Sequence, residues 1–574
     1  HRLEDRRDEI PSDDGGEIIP KGSEIMTIGR LAVLSNVNMN MVIRMLQKQA
    51  QVYEAEGYGN ELGTLLNPQS SYHAYHAEIT FLIVDLAELL EHDLDPVTAE
   101  RNIGNWFRTL EGCLPHDGVF YVSDAYLWAV ELSVLADTGR KSQLEGIWER
   151  ELRNLQQKHA NVRSFPYRAL TEHFGEEKAF SPKMWYMGKV LWGMEMQSAL
   201  AEQILYRSGL EYRTPKKVLV LDLDNTLWGG LAGEAEHTPV LLSEDHSGLA
   251  YKNLQRVLKI MQSQGVLLTI ASKNNEADAM EILEHHPHMV LRPEDFAAQR
   301  INWEPKPDNI RKIAEELNLG TDSFVFFDDS EAEREMVRQM LPEVEVPEFP
   351  ARAEDLAPAM VKIYETYFAA AVITGEDREK TAQYRANAGR KQMEDRAGSF
   401  EEYVKKLEIC LLPVDPKEHL DRLTQLLNKT NQFNLTTRRY TGEQMRQITE
   451  NTNKRVFLYQ VTDVFGDNGI VAAAIVDTAG ELPEITDFVM SCRVMGRNIE
   501  NAVIDRIEQQ MREEGYTVLR GRYVPTAKNK PVETLYERLG YRKTDSTPEG
   551  GTCYEIVLAE RPERVYWLKE NLYD

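Results

Sequence analysis

The strongest chemical signal in the chain is an apolar run, residues 218–221, that ends in Asp222, Leu223 and Asp224. Side chains at the end of a strand splay into the loop above the sheet, so Asp222 and Asp224 can both face a cation and a phosphoryl group. Held together without a cation, such a pair would be costly. Downstream, the run 266–270 leads to Ser272, Lys306 follows Glu304 and Pro305, and the run 324–327 ends in Asp328 and Asp329. Four strand-end or loop sites therefore converge, each bearing a group suited to phosphate or metal.

In this order and spacing the four sites resemble the motifs of the haloacid dehalogenase (HAD) superfamily. The resemblance implies phosphoryl transfer, with Asp222 attacking phosphorus while Asp224 protonates the leaving oxygen and later activates water. It also implies Mg²⁺ held by Asp222, the main chain of Asp224 and Asp329, with Asp328 beside it. Ser272 and Lys306 would bind phosphoryl oxygens, with Thr226, Lys273 and Asn274 on the substrate side. A hard cation with oxygen ligands fits magnesium. Only 49 residues separate Asp222 from Ser272, and much of that span, 247–264, must be the helix that returns to the sheet. No room is left for a large cap domain. By analogy with lidless relatives, an open site suits a phosphoryl group carried on, or handed to, another protein.

Finer matches lie in Asp222–Gly230, Ser272–Asn274, His286–Leu291, Ile301–Trp303, Phe327–Ser330 and Glu333–Glu335. They are similar to the FkbH-like proteins of polyketide pathways, which load a glyceryl unit onto an acyl carrier protein. The likeness spans about residues 216–560, and Ser330 stands where an Asn is expected.

Past residue 400 the pattern becomes α+β, with strands at 455–462, 470–477 and 485–490 and a helix at 498–514. The strand 485–490 runs through Ser491, Cys492, Arg493 and Gly496 to Asn498, and backbone N–H groups at that helix start could cradle a pyrophosphate. Together with Lys528–Pro531 and Leu535–Tyr541, this resembles the GNAT acyltransferase fold. Asn498 replaces the second small residue usual in that loop, which suits a phosphopantetheine arm, with no adenosine diphosphate end, better than acetyl-CoA. Cys492 lies beside Arg493 and a helix start, surroundings that favour a thiolate. The resemblance makes it the residue that holds the glyceryl group as a thioester. Cys113, Cys410 and Cys553 read as structural, and no CxxC pair suggests zinc or a disulfide framework. The polar stretch 428–439 offers Asn431, Asn434 and Arg438 for gripping hydroxyls and a phosphate or carboxylate.

Between residues 26 and 210, short apolar runs at 31–34, 81–84 and 119–122 alternate with helical patterns, including 184–205, as expected of a mostly parallel sheet. Ser35, Asn36, Asn67–Ser71, Asp85 and Ser181–Trp185 resemble SGNH-hydrolase-like domains. Ser35 lacks the family's GDS context, and 181–184 has neither the Asp nor the His of its late pair, so this domain is expected to dock a carrier or pathway enzyme and not to catalyse. Tyr72, His73, Tyr75 and His76 lack a carboxylate or cysteine that would complete a metal site, which favours packing.

The elements sum to a multidomain α/β protein, as 574 residues require. The expected division is a leader or expression remnant at 1–25, an SGNH-like domain at 26–210, a capless HAD domain at 216–350, a helical connector at 351–400 with a solvated charged face, and a GNAT-like domain at 401–574. Net charge is −27, from 66 basic and 93 acidic side chains, which argues against a nucleic-acid partner. Neither a signal peptide nor a membrane span is legible, and a cytoplasmic location is expected. The expected partners are an acyl carrier protein, which supplies phosphopantetheine, and a phosphorylated three-carbon substrate. The rival reading is a small-substrate phosphatase fused to an acetyl-CoA-dependent N-acetyltransferase.

Overall fold

The structure, a computed structural model, describes residues 29–569 except 56, 116, 135–138, 234–239, 374–380, 382, 385, 387, 388, 391, 392, 395, 431, 492, 493, 527 and 547–549. The chain divides into two compact units between Thr214 and Pro215.

The first unit is a parallel sheet of β1 (Leu31–Ser35), β2 (Val52–Tyr53), β3 (Ile79–Ile83), β4 (Val119–Ser123) and β5 (Val162–Phe165), in the order β2-β1-β3-β4-β5. Every residue of β1 and β3 is buried, the signature of strands covered on both faces. Alternate side chains serve two cores. Leu82, Val84, Phe120 and Val122 pack with Ile103, Phe107 and Trp148, while Leu31, Val33, Phe81 and Ile83 pack with Met196, Leu200 and Ile204. The helical pattern expected over 184–205 is broken. Helix Pro182–Gly188 ends at Lys189 in the left-handed region (φ 56), Trp192 pairs with Phe180, and a new helix, Met194–Tyr212, starts after Gly193. The aromatic and histidine cluster is packed as expected: the Tyr72 hydroxyl meets Thr80 at 2.8 Å and His73 meets the Leu65 carbonyl at 2.9 Å.

Asp85, just past β3, accepts from the Glu88 N–H at 2.9 Å, but its Oδ2 is buried without a partner. Burial pushes its carboxyl up from 3.8 to about 7. The folded form therefore holds the proton more tightly than the unfolded chain. Stability is undiminished by this group below pH 4, falls as pH rises towards 7, and is then level, an effect of about 4 kcal/mol at most. Asp85→Asn keeps the accepting oxygen and removes the charge. We expect it to raise the urea midpoint of this unit clearly at pH 8 and much less at pH 5; an equal gain at both would contradict the assignment.

The second unit opens with a four-stranded parallel sheet: β6 (Val218–Leu221), β7 (Leu267–Ser272), β8 (Phe296–Ile301) and β9 (Phe324–Phe327), in the order β8-β7-β6-β9. β6 is central, and the chain reverses its direction of travel across the sheet between β6 and β9. The carboxyl ends of those two strands therefore flank the crevice where open α/β sheets bind ligands. Leu219 and Leu221 face the helix His246–Ser263, whereas Val218 and Val220 face the helix Lys306–Leu317. Leu356, Met360, Ile363 and Phe368 pack into the first of these cores, so the front of the expected connector belongs to this body.

The remaining sheet is mixed: β10 (Cys410–Pro413), β11 (Lys454–Asp463), β12 (Gly466–Asp477), β13 (Glu484–Met490), β14 (Val518–Tyr523), β15 (Arg542–Ser546) and β16 (Thr552–Val557), in the order β10-β11-β12-β13-β14-β16-β15. β13 and β14 run parallel and pair only at Glu484–Arg520 and Ile485–Gly521. Beyond that point the chain's own segment 433–435 fills the gap. Leu435 N–H donates to the Phe488 carbonyl, Met490 N–H to Phe433, and Val524 N–H to Leu435. One charge of the connector departs from the solvated face expected for it: Arg390 is 3% exposed and grips Asp463 with two hydrogen bonds, 2.7 and 2.8 Å. Among the described residues, no helix is long and apolar enough to cross a membrane, and Cys113, Cys410 and Cys553 are unpaired.

Candidate active site

Each acidic group of the phosphate-type cluster follows an apolar strand that the core holds rigidly. Asp222 directly follows β6, Asp328 and Asp329 follow β9, and Ser272 ends β7, all at the carboxyl end of the sheet. Lys306 begins the helix Lys306–Leu317 and reaches beneath the acids from a buried position. Its Nζ lies 2.9 Å from Asp222 Oδ1 and also donates to Asp328 Oδ2.

Ligand oxygens of Asp222, Asp328 and Asp329 lie within 4.8 Å of one another. Three carboxylates against one ammonium leave an excess of two negative charges, and the protonation of the groups shows the strain. Burial, then the Asp222 charge, push the Asp328 and Asp329 carboxyls up in spite of Lys306. Burial alone would lower the Lys306 ammonium, yet Asp222 and Asp328 outweigh it and raise it. Both shifts report a site short of positive charge. An all-oxygen donor set with two unbalanced charges fits a hard divalent cation.

Asp224 is set apart from this cluster. Its Oδ1 accepts from Trp228 Nε1 at 2.8 Å and from the Ala232 N–H at 2.9 Å, and its Oδ2 accepts from Asn274 Nδ2 at 2.8 Å. Burial, first of all, raises its carboxyl above the usual range, with the Asp222 charge adding to it. Both side-chain oxygens of Asp224 are engaged away from the cluster, in an arrangement that suits a proton carrier and is compatible with the main-chain role in metal binding expected for this residue.

Of the three residues expected on the substrate side, Asn274 and Thr226 are buried and Lys273 is partly exposed. Asn274, nearly buried, spends its amide on Asp224 and on the Asn275 N–H, so it orients the neighbouring acid. Thr226 is wholly buried within the turn after β6, and its hydroxyl has no hydrogen-bond partner among the described residues. Lys273 pairs with Glu333 at 2.5 Å. Ser272, at the end of β7, and Lys306, at the start of its helix, remain where a phosphoryl oxygen would sit.

Motif reasoning missed the supports. Arg334 donates to the carbonyls of Asp328 and Asp329 at 2.9 and 2.8 Å, fixing the turn that carries both acids. Ser330 caps the following helix, Glu331–Met340, by accepting from the Glu333 N–H. The Asn expected there would serve the same end. Trp228, four residues after Asp224, was visible as a large residue in the first motif, but nothing local marked it as a donor.

In the body built on the mixed sheet β10–β16, Cys492, Arg493 and Asn431 lie outside the described residues. Their neighbours are anchored, since Ser491 N–H donates to the Val471 carbonyl at 2.7 Å. Asn434 is corrected from a substrate contact. At 1% exposure its Oδ1 accepts from Thr436 and Thr437, and its Nδ2 donates to the Leu427 and Thr430 carbonyls. Arg438 lines a shallow surface cavity of about 510 Å³ with Tyr440, Gln444 and Asn451. The helix start expected to cradle a pyrophosphate carries Glu500 in its first turn, buried, with Oε2 lacking a partner and its carboxyl raised by that burial. Asn498 and Asn501 there donate to the Val565 carbonyl.

Residues 214–346 match the acid phosphatase family. The N-terminal part of a Bacteroides fragilis protein, containing a phosphatase domain and solved complexed with Mg, is similar at 24% identity and TM-score 0.51, over 61% of this chain and 96% of its own. That likeness shows the fold, and its extent exceeds the 23% of the chain that the family match spans (133 of 574 residues). A domain from Methanocaldococcus jannaschii is similar at 17% identity and TM-score 0.23, over 26% of this chain and 99% of its own. The ribosomal-protein-S18-alanine N-acetyltransferase of Escherichia coli follows at 12% identity and TM-score 0.21, over 28% and 99%. Scores this low assign nothing. No curated protein matches the chain.

Proposed function

We propose that the HAD-type phosphatase domain at residues 214–346 works within a loading enzyme that moves a glyceryl unit from 1,3-bisphosphoglycerate to an acyl carrier protein. The phosphatase half rests above all on the convergence of Asp222, Asp328 and Asp329 around one buried ammonium, an excess of two negative charges. Mg²⁺, which Asp222, Asp328 and Asp329 would hold, supplies positive charge to neutralise the incoming phosphoryl oxygens.

Asp222, held at the end of β6, attacks phosphorus, and the bond to the leaving oxygen breaks. Asp224, raised by burial and oriented by Trp228, Ala232 and Asn274, gives its proton to that oxygen. It then takes a proton from the water that cleaves the aspartyl-phosphate. Lys306 and Ser272 hold the transferred group in place.

The loading half is supported by the resemblance to FkbH-like proteins and by Asn498, which stands where the pyrophosphate loop of the rival acetyltransferase reading usually has a small residue. In this reading the Cys492 thiolate attacks the acyl phosphate carbonyl and expels phosphate, hydrolysis through Asp222 removes the 3-phosphate before or after that step, and the resulting glyceryl thioester passes to the phosphopantetheine thiol. The test is intact-protein mass after incubation with Mg²⁺ and a 1,3-bisphosphoglycerate-generating system. A glyceryl-sized gain that Cys492→Ala abolishes is expected. No gain, or a gain that survives Cys492→Ala, overturns the loading half and leaves the phosphatase half standing.

A further inference from the structure

We propose that Trp303 reads the part of the phosphatase substrate that lies beyond its phosphoryl group, and that this part presents an apolar or planar face. The inference rests on the phosphatase reading of Asp222 and Lys306. Trp303 is 75% exposed, while the other seven tryptophans are buried or half-buried. It stands in the short loop between β8 and the helix Lys306–Leu317, three residues before Lys306. Three residues of chain span at most about 10 Å, so its backbone stays at the rim of the carboxyl-end crevice that holds Asp222, Ser272 and Asp328.

The loop that carries the indole is braced. Asn302 N–H donates to the Ser272 carbonyl at 3.1 Å, and Glu304 N–H donates to Asn302 Oδ1 at 3.0 Å. Asn302 and Asn309 exchange amide hydrogen bonds at 2.9 and 3.3 Å, and Glu304 pairs with Lys312 2.5 Å away. A large apolar plane is thus held out on a frame tied to the strand end that would bind phosphate. No ring or cation of the described residues stacks on it. A rigid aromatic loses little conformational freedom on binding, which suits it to contact an arm, amide or ring. A bare hydroxylated three-carbon fragment would leave most of it uncovered. The substrate class inferred is therefore a phosphomonoester whose leaving alcohol continues into an apolar or planar arm.

The test compares 1-naphthyl phosphate with glycerol 3-phosphate, in Mg²⁺, for the full chain and its Trp303→Ala and Trp303→Phe variants. Trp303→Ala is expected to lower kcat/KM for the naphthyl ester about tenfold, through KM, and to leave glycerol 3-phosphate within about twofold. Trp303→Phe should keep most of the preference. Equal losses on both esters, or none on either, overturn the proposal. Calorimetric binding of benzylphosphonate against methylphosphonate supplies a readout independent of turnover, and the expected preference of wild type for the benzyl compound should collapse in Trp303→Ala. Phosphate release with no Trp303 dependence sinks this proposal alone. A Trp303-dependent binding preference with no phosphate release sinks the phosphatase reading and leaves this one.

Discussion

Asp222→Asn is expected to lower Mg²⁺-dependent phosphate release by about 10⁴-fold or more, with the fold retained. The substitution keeps the shape of the side chain at the end of β6, where the strands beside it fix the backbone. What it removes is the nucleophilic oxygen and one of the three charges that would hold the cation. An amide cannot form the aspartyl-phosphate, so covalent turnover stops, and residual release would come only from water positioned in the crevice. Loss of the excess negative charge also eases Asp328 and Asp329, whose carboxyls Asp222 helps to raise. The variant should therefore be at least as stable as wild type without metal, and it should gain less from Mg²⁺. Steady-state phosphate release and thermal unfolding, each with and without Mg²⁺, check the two parts separately.

Lys306→Met is expected to destabilise the same domain by about 3–5 kcal/mol, because it leaves Asp222 and Asp328 facing each other with no ammonium between them. Methionine follows the course of the lysine stem, so lost packing is a small part of the effect. The remaining three acids should bind a divalent cation more strongly in proportion to their need. Mg²⁺ should then raise the unfolding midpoint of the variant more than that of wild type, as a ligand of the native state does. A variant as stable as wild type in chelator would contradict the charge count at the site.

The core of this site was legible because each part is a local pattern: an apolar run buried on both faces, ended by an acid or hydroxyl. The order β8-β7-β6-β9 then brings those ends together, as a parallel sheet with short crossovers must. The supports were not legible, because Asn274 meets Asp224 across 50 residues and Arg334 acts on carbonyls, which leave no mark in composition. Asn434 shows the opposite error. A polar stretch looks the same whether its amides await a ligand or, as here, satisfy the turn that carries them. Arg390 misled for a related reason, since its partner Asp463 is 73 residues away, at the end of β11. The segment 433–435, laid between β13 and β14, was equally hidden: it is a strand substitute defined by neighbours distant in the chain.

The most direct test of the phosphatase assignment is to quench turnover of a phosphomonoester in acid and locate the trapped phosphoryl group by peptide mass. A phosphoryl-sized gain on the peptide containing Asp222, absent from Asp222→Asn, is the predicted result. Phosphate release that persists undiminished in Asp222→Asn, with no modified peptide in wild type, would contradict it.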